Sequence, residues 1–434
     1  MSASGGSSAF DAVTRVVLPS GLRLLCAPLP ATHRTSVSVH IQSGSRFEPP
    51  ELGGISHFHE HMLHRGTRSH GSAHALALAF ERLGSELGAA TYVDHTLLSA
   101  NAPPENLNQV LALLGEVVSA PVWSGIEIER GIVREEILES LNEDGDPVSP
   151  DELVIALTFP DHALGRPITG TLAALDRFDV PALQRFHDQH YSASNMVVSV
   201  SGPIDPDEVG ATVARAFEGL GAGAPLTSAT PAPLSGPVFR YLDDAGSQTA
   251  LRMTFRAPSE QDALEPAVEL LLRTLDDGMS TRLYHQVCDE RGLAYDVSAS
   301  YEAFADTGAF TLGGESAHGS SEKLLTAFFE VVDDLRREGP SELEVEKAKQ
   351  RFGWQMQSLL DDPGEFAAFL GLGELTGVAR TPEQRKRELF AVSRDRVHAA
   401  AQAVFQKEAL AVAVVGQLRE KQRSALSRLV ERFA

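Results

Sequence analysis

The run His57-Phe58-His59-Glu60-His61 constrains this chain more than any other feature, because His57, Glu60 and His61 make up H-x-x-E-H. Side chains three and four residues apart share a helix face, so on a helix His57 and His61 reach one cation and Glu60 points toward the same place. The segment must therefore be helical. The fold must also hold that helix beside a further ligand, since a catalytic zinc uses three protein ligands and keeps its fourth position for water.

A carboxylate is the usual partner of two histidines, and residues 127–143 hold a dense run of glutamates in a segment that reads as a helix. At about 100° per residue, Ile128, Ile132, Val133 and Ile137 define one arc of it. Glu129 and Glu136 fall near the centre of that arc, and Glu135 and Glu139 toward its edge. A carboxylate inside an apolar stripe is costly unless a cation or hydrogen bonds compensate it. We assign Glu136 as the third ligand and Glu129, two turns earlier, as an outer partner of the centre.

These residues give the chain a resemblance to the pitrilysin family of zinc metallopeptidases, which includes insulin-degrading enzyme and the mitochondrial processing peptidase. Glu136 follows His61 at the family's spacing, and Glu129 stands at the family's accessory position seven residues before the ligand. The likeness continues in Met62 and Arg65-Gly66-Thr67, in Leu164-Gly165-Arg166-Pro167-Ile168, and in Asn195-Met196-Val197-Val198 leading to Gly202. Gly278-Met279-Ser280-Thr281-Arg282-Leu283 and Arg291-Gly292-Leu293-Ala294-Tyr295 carry it through the second half. It implies an α+β fold of two homologous domains, each a mixed, largely antiparallel sheet packed with helices, the two closing over a peptide chamber.

The resemblance also implies an activity, zinc-dependent endopeptidase. Zinc would bring the pKa of a water toward ~7, and Glu60 would take its proton during attack on a peptide carbonyl and pass it to the leaving amine. Tyr295 matches a family tyrosine that donates a hydrogen bond toward the tetrahedral oxyanion. Residues 83–96 resemble the strand whose edge receives an extended peptide, a mode that reads main chain and tolerates many sequences. His59 points away from the His57/His61 face, and it, His64, His70, His74 and His95 are expected in surface or packing roles.

Two positions depart from the family pattern. Cys288 stands where the family has an arginine, seven residues before Tyr295, and Gly88 where it has an asparagine. A thiol replaces neither the charge nor the donors of a guanidinium. Three readings follow: a peptidase acting alone or as a homodimer, the catalytic subunit of a heterodimer whose metal-free homologue supplies the arginine, and a non-enzymatic scaffold. Retention of H-x-x-E-H with both glutamates counts against the scaffold, and the first reading is preferred over the second.

A net charge of −22 argues against partners with a phosphate backbone or an anionic bilayer, which need the opposite field. No apolar run is long enough for a membrane span, and the Ser/Gly-rich residues 1–8 lack the pattern of a secretory signal. Two cysteines, Cys26 and Cys288, are too few for a disulfide framework, and a cytoplasmic location is expected. A stretch rich in Gly, Ala, Ser, Thr and Pro at residues 219–237 reads as a linker between residues 1–218, the metal-binding domain, and residues 238–434, a homologous domain without the motif. Residues 126–130 parallel 343–347, and in that register Glu136 meets Gly353, so the second copy carries no metal chemistry. Strands are expected at residues 14–18, 22–25, 36–42, 197–201, 251–255 and 410–415.

Overall fold

The computed structural model describes residues 12–433; the segment at residues 1–8 lies outside them. Among the described residues, eleven strands form two mixed sheets. The first holds β1 (Thr14–Val17), β2 (Arg23–Pro28), β3 (Thr35–Ile41), β4 (Gly88–Thr91), β5 (Thr96–Ala102) and β6 (Met196–Gly202), in the order β1-β2-β6-β3-β5-β4. The second holds β7 (Val238–Leu242), β8 (Thr249–Ala257), β9 (Val297–Ala303), β10 (Gly308–Ser316) and β11 (Leu410–Val415), in the order β7-β11-β8-β10-β9. Without β1 the two orders are the same. In each sheet the first and last strands of the repeat pair in parallel, β2 with β6 and β7 with β11, and every other pairing is antiparallel. The fold is α+β and internally duplicated.

Contacts gather the chain into two compact units that do not follow the chain in one cut. The first comprises the chain up to Ile137, Pro167–Ser228 and Gln355–Arg385, and the second Leu138–Arg166, Ala229–Trp354 and Lys386 onward. Each half therefore lends a segment to the other's sheet. In the second unit the helix Pro150–Thr158 lies against β8 and β11, where Val154 packs on Ala411 and Ala413. In the first, the helix Pro363–Thr376 lies against β3 and β6. Both start alike, with a capping side chain followed by proline at the first helical position: Ser149 accepts from the Glu152 N–H, and Asp362 from the Gly364 and Glu365 N–H groups. Residues 220–237 contain no helix or strand.

The borrowed helix in the first unit explains a sheet that its own sequence misdescribes. β3 alternates polar and apolar residues, as a strand with one wet face would, yet all of it is buried. Ser36, Ser38 and His40 share their face with Ser199 and Ser201 of β6, and Pro363–Thr376 covers them. The Ser201 hydroxyl donates to the Pro363 carbonyl at 2.8 Å. Gly371 passes so close to the His40 ring that a Cβ there would stand 2.4 Å from it.

His40 is thus sealed in neutral form. Burial, helped by the nearby His95, lowers its pKa to about 3. Below pH ~6.5 the unfolded chain takes up a proton that the folded one refuses, so the stability this group supports is complete above that pH and is lost as pH falls toward 3. Removing the titration with His40→Asn should flatten the acid limb of unfolding free energy between pH 6.5 and 4, by up to about 1.4 kcal/mol per pH unit. Urea melts across that range would measure it, and equal slopes for the two proteins would contradict the assignment.

Candidate functional site

H-x-x-E-H lies on the helix Ile55–Leu63, here called the motif helix. Its start is built by Glu48, whose buried carboxylate accepts the Gly54 N–H with one oxygen and the Ser56 N–H with the other, both at 2.8 Å. Negative charge at a helix N-terminus satisfies orphan donors and suits the dipole. Gly54 takes φ +95, and a Cβ on it would lie 2.7 Å from the Gly170 Cα. No larger residue fits that entry. Ile55, Phe58, Met62 and Leu63 go into the core, with Phe58 against Phe178. His57, Glu60 and His61 face the other way.

His59 is indeed turned from that face. It is fully buried among Trp123, Phe186, His187 and Tyr191, with its Nε2 3.1 Å from His187 Nδ1. His70 sits 3.2 Å from Glu116, and His95 stacks on Tyr92.

Glu129 and Glu136 come from the helix Ile126–Glu139, the acidic helix. Its phase differs from the expected arc. Ile128 and Ile132 are 57% and 49% exposed, and the buried stripe runs through Glu129, Val133 and Ile137, one residue on. The inward face is therefore partly acidic, and its carboxylates meet the histidines. Glu136 Oε1 lies 3.5 Å from His57 Nε2 and Oε2 3.7 Å from His61 Nε2. Glu129 Oε2 lies 3.2 Å from His61 Nδ1 on the other side of that ring. Glu135 and Glu139 are exposed.

The donor set fits a metal ion. One ligand atom from each of His57, His61 and Glu136 lies within 4.8 Å of the others. The two separations between Glu136 and the imidazoles are long for direct hydrogen bonds. They suit ligands gathered around an ion, since tetrahedral ligands on bonds of about 2.1 Å stand roughly 3.4 Å apart. Burial, then the nearby His61, lowers the His57 pKa to about 4, so its ring is neutral at pH 7, the form that binds metal.

Glu60 is held from below by a residue the sequence reading gave no role. The Thr91 hydroxyl, at the end of β4, donates to Glu60 Oε2 at 2.9 Å. Burial raises the Glu60 pKa, opposed by that hydrogen bond and by His61 and reinforced by Glu136. Among the described residues β4 pairs only with β5, so it forms an edge of its sheet, and Gly88 is its first residue. The only sequence signal for Thr91 was its place within residues 83–96.

Tyr295 belongs to the second unit. It lies in the turn before β9, is 94% exposed, and lines a cavity of about 270 Å³ with Arg252, Asp296 and Glu315. Cys288 lies in the π-helical turn His285–Asp289, half-buried, and burial followed by Asp296 raises its pKa.

Residues 23–172 match the family model of insulinase (peptidase family M16), and residues 177–352 match that of the peptidase M16 inactive domain. A protein of Mycobacterium leprae described as an uncharacterized zinc protease is 30% identical over 94% of this chain and 93% of its own. The uncharacterized zinc protease YmxG of Bacillus subtilis is 28% identical over 91% and 96%. Among solved structures, a peptidase M16 inactive domain from Pseudomonas fluorescens superimposes with a TM-score of 0.85 at 20% identity, covering 93% of this chain and 97% of its own. A Helicobacter pylori protease gives 0.85 at 18%, covering 93% and 99%. Among the described residues, no helix is long and apolar enough to cross a membrane.

Proposed function

The chain belongs to the insulinase family, peptidase family M16, and from that premise we propose that it is a zinc-dependent endopeptidase acting on short or unfolded peptides. One observation carries the reading: the imidazoles of His57 and His61 and the Glu136 carboxylate converge at ligand spacing with Glu60 beside them.

Zinc held by His57, His61 and Glu136 would supply Lewis acidity toward a water and toward the peptide carbonyl. Glu60 accepts the proton of the attacking water and returns it to the leaving amine. The Thr91 hydroxyl fixes one Glu60 oxygen, and burial shifts the carboxyl in the direction a base needs. Glu129 accepts from His61 Nδ1 and so turns the Nε2 lone pair toward the ion. The free edge of β4 gives an extended peptide main-chain partners next to the base, which is why broad sequence tolerance is proposed. By its match to the family tyrosine, Tyr295 would donate a hydrogen bond to the carbonyl oxygen of the substrate as it becomes an oxyanion.

The test is hydrolysis of a quenched peptide by the purified full chain, abolished by chelation and restored by zinc. Tyr295→Phe should lower kcat/KM by roughly 10-fold or more, as loss of an oxyanion donor does. Cys288 supports a second reading, the catalytic subunit of a heterodimer. On that reading the zinc-loaded chain alone is nearly inactive, and a homologous subunit bearing arginine and tyrosine restores cleavage. Full activity of the chain alone would overturn the second reading, and an unaffected Tyr295→Phe would remove this tyrosine from the first.

A further inference from the structure

We propose that Arg65 is the positioning residue of this centre, acting through Glu129 to fix His61 and to lock the motif helix to the acidic helix before any ion arrives. The inference rests on the zinc reading above and adds to it a residue that touches no ligand position.

Arg65 follows the motif helix by two residues, its N–H still donating to the Met62 carbonyl at 3.1 Å. Its Nη1 donates to Glu129 Oε1 at 3.2 Å, while Glu129 Oε2 faces His61 Nδ1 at 3.2 Å. Both oxygens of one carboxylate, 6% exposed, are therefore committed, one to a guanidinium and one to a ligand histidine. A carboxylate buried this deeply needs a compensating charge, and the guanidinium supplies it while fixing the direction of the second oxygen. Arg65 Nε is buried and has no partner among the described residues, so Glu129 is the main anchor of the group.

The start of the acidic helix is shaped to admit that guanidinium. Gly125, whose carbonyl accepts the Ile128 and Glu129 N–H groups, has φ +78, and a Cβ there would lie 2.6 Å from Arg65 Nη2. The Arg65–Glu129 pair joins the end of the motif helix to the acidic helix through side chains. Glu136 stands two helical turns beyond Glu129, on nearly the same face. Fixing Glu129 fixes the rotation that presents Glu136 to His57 and His61.

The test is a double-mutant cycle on zinc affinity, measured by competition with a chromophoric chelator on the full chain. Arg65→Met should weaken zinc binding about 10-fold, and Glu129→Gln by roughly 10- to 100-fold, the usual range for groups behind a ligand. Because Arg65 works through Glu129, the double variant should bind no more weakly than Glu129→Gln alone. Arg65→Lys, which keeps the charge, should recover part of the loss, and Gly125→Ala, which displaces the guanidinium, should reproduce it. Melting of each metal-free variant identifies any that fail to fold, and the cycle is read on those that melt with the wild type. Additive losses, or wild-type affinity in Arg65→Met, would overturn the proposal. His61→Ala in the same titration separates the two claims: unchanged zinc binding there would defeat the zinc reading itself, whereas its loss beside a normal Arg65→Met would defeat only the clamp.

Discussion

Glu60→Gln should abolish peptide hydrolysis, by a factor of roughly 10²–10⁴ or more, while the protein still retains about one zinc per chain. The glutamine keeps the shape of the side chain and can still meet the Thr91 hydroxyl, but it cannot take a proton from water. The three converging ligand atoms belong to other residues, so the ion has no need of Glu60. Metal analysis after dialysis, run beside the peptide assay, reads both quantities. Joint loss of metal and activity would make Glu60 a ligand instead of a base, and substantial residual activity would place the base elsewhere.

The second large effect is expected at the acidic helix. Glu136→Gln should weaken zinc binding far more than Glu135→Gln or Glu139→Gln, and by more than the roughly 10- to 100-fold expected at Glu129. A neutral amide forfeits the negative charge with which a carboxylate binds a dication. Glu135 and Glu139 point to solvent from the same helix, so they control for its overall charge. Competition titrations rank the four variants, and equal affinities for the Glu136 and Glu135 variants would mean that the acidic helix is misphased.

That phase shows how far the sequence could be read. The apolar arc and the family spacing both singled out Glu129 and Glu136, yet the arc was one residue off, with Ile128 and Ile132 exposed. The two glutamates face the histidines all the same, because acidic side chains themselves form part of the inward face, a signal hydrophobic periodicity does not carry. The closing strands were legible for the opposite reason: β11 is apolar throughout, β6 is valine-rich with Ser199 and Ser201 on one face, and both are buried on both faces. β3 was legible as a strand but not in its surroundings, since the helix covering Ser38 and His40 comes from the other half of the chain. No local pattern announces such an exchange. Thr91 and Arg65 escaped for a related reason, as each acts on a residue brought near only by folding, Glu60 from the β4 edge and Glu129 from another helix.

The central claim is that His57, His61 and Glu136 together hold zinc. Anomalous difference diffraction at the zinc edge from zinc-loaded crystals of the full chain tests it most directly. The account predicts one strong peak per chain, about 2.0–2.2 Å from His57 Nε2, His61 Nε2 and a Glu136 oxygen, with Glu129 behind His61 and outside bonding distance. A peak bound by Glu129 in place of Glu136, or one located away from His57 and His61, would contradict it.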